Sequence, residues 1–254
     1  MPWDLLPLLP LGILAGLLSG LLGIGGGLVF SPLLLWLGLT PHQALATSTL
    51  AIVPTTLAGS WAHLRSGAVP RRAMAAIVLG ALVGGVSFSH IGNGLEGWHL
   101  LALQSLMYGI LSVVIQPRRS EQETASTALS LMALGGVGLV AGWSSGLLGV
   151  GGGLVMVPLM VQGLGLRVYL AIRLSTLAVC ASASAASVGF LADGRSNLAM
   201  GLLLGGTAAL ASQWSAARLQ RVSEGRLVWL LRLLTVLLAL DSGRRAFALA
   251  MAAG

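Results

Sequence analysis

The sequence predicts an all-α, polytopic integral membrane protein built from two homologous repeats, and three observations carry that prediction. Apolar residues make up 56% of the 254, charged residues 8%, and the mean hydropathy is +0.92, whereas soluble domains carry about 25% charged residues. Several uninterrupted apolar stretches reach 18 residues or more, the length that crosses about 30 Å of hydrocarbon. Finally, the chain repeats itself: "GLLSGLLGIGGGLVFSPLLL" (16–35) and "GWSSGLLGVGGGLVMVPLMV" (142–161) agree at 13 of 20 positions. After a one-residue shift, Ser48-Thr49 aligns with Ser175-Thr176 and Gly67 with Gly194. The most polar stretch, Gln116–Ser126, lies between the halves and divides a first repeat (1–120) from a second (121–254).

Each half yields the same series of segments. The first reads 5–39 (interrupted at the glycines), 43–64, 73–91 and 97–116; the second reads 127–165 (interrupted), 168–191, 197–215 and 226–250. The gaps carry turn residues or charge, as in "TPHQ", "RSGAVPRR" and "LADGRSN". Segment 5–39 is too long for one pass and short for two. About 12 apolar residues follow its glycines, roughly 18 Å at 1.5 Å per residue.

A single pass there makes the repeats parallel. A hairpin gives each half two arms plus three spans, an odd number, and makes the repeats inverted. With Arg173 and Arg232 set aside as lying inside segments, the hairpin divides the loop arginines 9 to 3 and the single pass 8 to 4. The nine are Arg65, Arg71, Arg72, Arg118, Arg119, Arg167, Arg218, Arg221 and Arg226. Because cytoplasmic loops concentrate Lys and Arg, the hairpin and inverted repeats are preferred, with both termini outside.

The net charge of +7 and pI near 11.4 come from fourteen arginines and no lysine. Their position between apolar segments points to membrane topology and anionic headgroups rather than to nucleic acid. Cys180 stands alone, so no disulfide framework or Cys-based metal site is expected. His42, His63, His90 and His99 fall near segment ends and read as neutral interfacial residues. No histidine pair has metal-site spacing, and no nucleophile–base pair or acidic pair occurs in the spans. The expectation is a non-enzyme without metal or cofactor. The N-terminus lacks a basic n-region and reads as mature structure.

The candidate site follows from the glycines. Glycine costs about 1 kcal/mol in a helix interior, so the runs Gly23, Gly25, Gly26, Gly27 and Gly149, Gly151, Gly152, Gly153 should end the helix. Broken backbone survives in a bilayer only when buried in protein or lining a wet cavity. Pro32 and Pro158 are further helix breakers that free the carbonyls of Leu28 and Leu154. A helix restarting after the glycines points N–H groups with partial positive charge back into the gap, and two such ends make an anion site. Gly12, Gly16, Gly20 and Gly138, Gly142, Gly146 instead have the four-residue spacing of helix packing.

A polar stripe follows on the next segment. Ser48 and Thr55, Thr49 and Thr56, and Ser175 and Ser182 lie seven apart, so each pair shares a helix face. The hydroxyls of Ser48, Thr49, Ser175 and Thr176 either donate to an oxyanion or bond carbonyls of their own or a neighbouring helix. Arg173, where the first half has Ala46, is either a substrate anion contact or a snorkelling or structural residue.

These residues resemble the TauE/SafE family of membrane permeases, also called the sulfite exporter or toluene sulfonate uptake permease family. The likeness rests on "GLLSGLLGIGGGLVFSPLL" with "HQALATSTLA", then "SGLLGVGGGLVMVPL" with "RLSTLA", and covers residues 8–250. Thr47 belongs to the family-like positions as well. The resemblance implies a bacterial inner-membrane permease for small sulfur-containing anions, such as sulfite or organosulfonates, coupled to a proton or sodium gradient. A channel, or a permease for a metal cation held by freed carbonyls, is the alternative. The chain departs from the family where "IRLST" replaces the small-residue run "LATST".

Overall fold

A computed structural model describes residues 8–65, 69–89, 91–114 and 130–253. The linker Gln116–Ser126, with Arg118 and Arg119, lies outside the described residues, as do Gly67 and His90. Among the described residues the chain is helical, without strands. The first half runs α1 (Leu8–Leu22), α2 (Gly27–Trp36), α3 (Pro41–Arg65), α4 (Arg71–Ser89) and α5 (Gly97–Val114). The second runs α6 (Leu131–Leu148), α7 (Gly153–Pro158, continued by a π-helical turn over Leu159–Gly163), α8 (Val168–Ala192), α9 (Leu198–Ala216) and α10 (Glu224–Ala253). Both long segments are therefore interrupted at the glycines.

Helices α4, α5, α6 and α8 are long and apolar enough to span a bilayer. Helices α3, α9 and α10 are as long, but hydroxyls or charges dilute their sequences. In α3 the polar residues Thr47, Ser48, Thr49, Thr55, Thr56 and Ser60 face inward and are buried. The outer surface is apolar, with Leu79, Val83, Leu106, Leu210, Leu240 and Phe247 exposed. Exposed Trp61 and Trp214 lie under Arg65 and Arg218 at 4.9 and 3.9 Å, the aromatic and basic anchors of a membrane boundary. Arg244 and Arg245, loop residues in the arginine tally, lie inside α10. There Asp241 accepts from them at 3.3 and 2.9 Å, so the helix continues past them.

The packing crosses between halves. Helix α1 runs beside α9 in the same direction: Cβ atoms at Gly12, Gly16 and Gly20 would meet Thr207, Ala208 and Ser215 at 2.0, 2.1 and 2.1 Å. Helix α6 runs likewise beside α4, where Gly138 and Gly142 would meet the carbonyls of Ile77 and Ala81 at 2.2 and 2.6 Å. The spaced glycines thus let backbones touch, as small-xxx-small faces do. Helix α3 parallels α9, with Leu50 against Gly201, Ala51 against Gly205 and Ser212 against Gly59. Helix α2 returns against α3, completing a hairpin with α1.

At the centre, α3 and α8 run antiparallel. Ala46 clusters with Ala186 and Phe190 at one end, and Ser60 Oγ donates to the Thr176 carbonyl at 3.5 Å towards the other. Matching clips hold their first turns: His42 Nε2 contacts the Leu95 carbonyl at 2.9 Å, and Tyr169 donates its hydroxyl to the Val222 carbonyl at 2.8 Å.

Candidate functional site

Both glycine runs adopt the same backbone. Gly23, Gly25 and Gly26 have φ of +68°, +76° and +82°; Gly149, Gly151 and Gly152 have +63°, +85° and +62°. This left-handed region costs other L-residues about 1–2 kcal/mol each. Three such positions in four residues explain why the runs need glycine.

The runs also meet. A Cβ at Gly153 would stand 2.2 Å from the Gly23 carbonyl oxygen, and one at Gly27 2.5 Å from that of Val150. Gly26 and Gly152 cap the restarting helices. The Gly26 carbonyl accepts from Val29 and Phe30, and the Gly152 carbonyl from Val155 and Met156. Geometrically, the first N–H groups of α2 and α7 have no partner within their own helix.

The serines brace this junction. Ser175 Oγ donates to the Gly23 carbonyl at 2.7 Å, and Ser48 Oγ to the Gly149 carbonyl at 3.1 Å, with a longer 3.4 Å approach to Gly27 O. Each serine therefore caps the first glycine of the opposite half. The threonines do something else. Thr49 and Thr176 donate to the Leu45 and Ile172 carbonyls of their own helices at 2.8 and 2.9 Å, as do Thr55 and Thr56 to Ala51 and Ile52. Of the two sequence-level readings, every hydroxyl of the stripe bonds a carbonyl here. All four residues Ser48, Thr49, Ser175 and Thr176 are fully buried, and the glycines are buried with them. The junction is closed.

The prolines correct one expectation. Pro32 sits within α2 and does not end it. It deprives only Leu28, in the first turn, of its partner, and the rest of the helix continues. Pro158 ends the α-helical part of its segment, and the chain widens into the π turn closed by Leu164 N–H to Leu159 O at 3.2 Å.

Arg173 does not snorkel to the surface: it is 8% exposed. Among the described residues no hydrogen bond or ion pair engages its guanidinium, and its buried Nε lacks a partner. His63, near its segment end as expected, is buried as well, being 2% exposed and near enough to Arg173 to feel its charge. Sequence reasoning missed this pairing because it depends on the α3–α8 register. It also passed over Pro54, whose ring stands against Gly205, and the acceptor role of Thr47, which takes the Asn197 N–H at 2.9 Å.

A small cavity lies at the opposite end of the α3–α8 pair, bounded by His42, Ala46, Phe190 and Arg195. Arg195 stacks over Phe190 at 4.6 Å and pairs with Asp193 at 2.7 Å.

Comparison with known proteins agrees with this architecture. The family described as sulfite exporter TauE/SafE matches residues 8–241. A "probable membrane transporter protein" of Xylella fastidiosa is 33% identical over 174 residues, 66% of this chain and 67% of the relative. The "probable membrane transporter protein YunE" of Bacillus subtilis is 26% identical over 91% of this chain and 94% of its own length. "Sulfite exporter TauE/SafE family protein 3" of Arabidopsis thaliana is 51% identical over 41 residues, 16% of this chain and 9% of that protein. No solved structure matches the chain. With its family match running through both glycine breaks and its apolar helices suited to a bilayer, the chain belongs to the sulfite exporter TauE/SafE family of membrane transporters.

Proposed function

We propose that this protein is a secondary active permease that moves small sulfur-containing anions, such as sulfite or organosulfonates, across the inner membrane of a bacterium. The observation that carries the reading is the junction of two broken backbones, buried between the halves and tied by Ser175 to Gly23 and by Ser48 to Gly149. Unwound backbone at membrane depth is tolerated only where protein buries it or it lines a cavity. Paired helix breaks of this kind are where transporters build their substrate sites. The antiparallel run of α3 against α8 supports an inverted relation between repeats 1–120 and 121–254, which lets the molecule open alternately to either side.

Because the junction is closed, a solute enters only when the halves part. That movement breaks the two serine–carbonyl bonds and releases hydroxyls beside the helix starts at Gly27 and Gly153. Donors freed at the same moment as the cavity forms are what an oxyanion requires. The sulfur anion itself is inferred from the family description and from one relative's name.

One observation favours a second reading. The carbonyls of Gly23, Gly27, Gly149 and Val150 crowd the same junction, and carbonyl oxygens suit a cation. Counterflow in proteoliposomes separates the two. Sulfite or an alkylsulfonate should exchange saturably, and metal cations should not compete. Exchange of cations without sulfite counterflow would sink the anion reading.

A further inference from the structure

The two ends of the central helix pair differ in how their arginine is held. Under the repeat alignment Ala46 corresponds to Arg173 and Phe190 to His63. At one end Ala46 packs on Phe190, and the Arg195 that stacks over this ring at 4.6 Å is paired with Asp193. At the other, Ser60 bonds the Thr176 carbonyl and Gly59 would meet the Thr176 methyl at 3.2 Å. One turn onward along α3 is His63, and one turn back along α8 is Arg173, so the antiparallel register brings them face to face. This is the arginine-rich end, where Trp61 and Trp214 lie under Arg65 and Arg218.

A buried guanidinium without a counter-charge is expensive, and proteins ordinarily pair such groups. Here the carboxylates whose side chains the structure describes are engaged elsewhere: Asp193 with Arg195, Asp241 with Arg244 and Arg245, and Glu96 with the Trp98 indole. None of these described side chains pairs with Arg173, whose buried Nε has no hydrogen-bond partner. Arg173 also lies two residues before Ser175, the residue that caps Gly23. It therefore flanks the first glycine break while its side chain faces α3.

We propose that Arg173 and His63 form an anion-binding site at the arginine-rich end of the α3–α8 pair, through which a small oxyanion is captured on one side only before it reaches the glycine junction. This rests on the anion-permease reading and adds a site that the repeat symmetry does not supply. Arg173 gives charge and a planar set of donors, and His63 gives an imidazole beside it. The occupant is a soluble anion rather than a lipid headgroup, because Arg173 is 8% exposed and secluded from the bilayer face.

The test uses the full chain in phosphatidylcholine nanodiscs. Sodium sulfite and sodium methanesulfonate are titrated against sodium chloride at equal ionic strength, by calorimetry and by thermal unfolding. Wild type should bind at least one of the two. Arg173→Gln should weaken that affinity at least tenfold, Arg173→Lys should retain part of it, His63→Gln should lose a few-fold, and Arg195→Gln should bind as wild type.

Without anion, Arg173→Gln should melt at or above the wild-type temperature, because an unpaired buried charge has been removed. A residue that served packing alone would lower it. Unchanged anion affinity in Arg173→Gln overturns the proposal while leaving permease activity intact. A wild type that binds neither anion and shows no counterflow overturns both. Phosphatidylglycerol in the discs should leave sulfite affinity unchanged, and competition by it would identify a headgroup as the occupant and overturn capture of a soluble anion. If Arg173→Gln does not fold, Arg173→Lys and His63→Gln decide the matter.

Discussion

The two halves are alike at their breaks and unlike at the ends of α3 and α8. Each break has three left-handed glycines, a glycine cap, and a serine bond from the opposite half. The ends instead set Ala46 and Phe190 against Arg173 and His63. On the permease reading proposed above, what both halves would need in order to open and close is present twice, and what would distinguish one side of the membrane from the other is present once.

The sharpest way to break this comparison is topological, and its outcome is all-or-none. Once Cys180→Ala removes the native thiol, Ala192→Cys at the exposed end of α8 and Pro70→Cys in the exposed loop before α4 place single cysteines in the two halves. A membrane-impermeant maleimide applied to intact cells should label position 192 from outside and position 70 only after permeabilisation. Labelling of both from the same side refutes inversion, and with it the opposition of the two ends.

The next effect separates the breaks themselves. At Gly152 a Cβ would lie 2.5 Å from the Ala141 carbonyl oxygen, which is backbone; at Gly26 it would lie 2.9 Å from the Phe30 ring, which can turn aside. Either Gly→Leu change adds left-handed strain of about 1–2 kcal/mol and overpacking of about 1–3 kcal/mol. Both should abolish counterflow while protein remains in the membrane, and Gly152→Leu should melt the lower of the two. Normal flux from both variants would remove the junction from the transport path.

Much of this was legible in the sequence, because membrane insertion and repetition both leave strong marks. The spans lie within a few residues of expectation, since hydrocarbon thickness fixes their length. The glycine runs break where they should because their backbone admits little else. The destinations of the side chains were not legible. Whether Ser48 reaches an anion or a carbonyl depends on which half lies opposite, and that is a matter of tertiary register. His63 lies near the segment end, as expected, but its burial against α8 was not legible. Pro32 was expected to break its helix, but a proline in the second turn removes only one bond.

Finally, the serine braces are alike in role and unequal in geometry. Ser175 makes one 2.7 Å bond to Gly23 O, while Ser48 divides its donor between Gly149 O at 3.1 Å and Gly27 O at 3.4 Å. Loss of a donor that leaves a buried carbonyl unsatisfied costs about 1–3 kcal/mol, and the shorter, undivided bond should lie higher in that range. Ser175→Ala should therefore lower the melting temperature more than Ser48→Ala. If the bonds hold the junction shut, each alanine also shifts the population towards open forms, since what is lost belongs to the closed state. The substrate then loses one donor in the open state, so affinity falls while the rate of opening rises. The expected signature is a higher half-saturation for counterflow with a maximal rate equal to or above wild type. A fall in maximal rate with unchanged half-saturation would instead mean that the serines only support the fold, and the two braces would cease to be part of the gate.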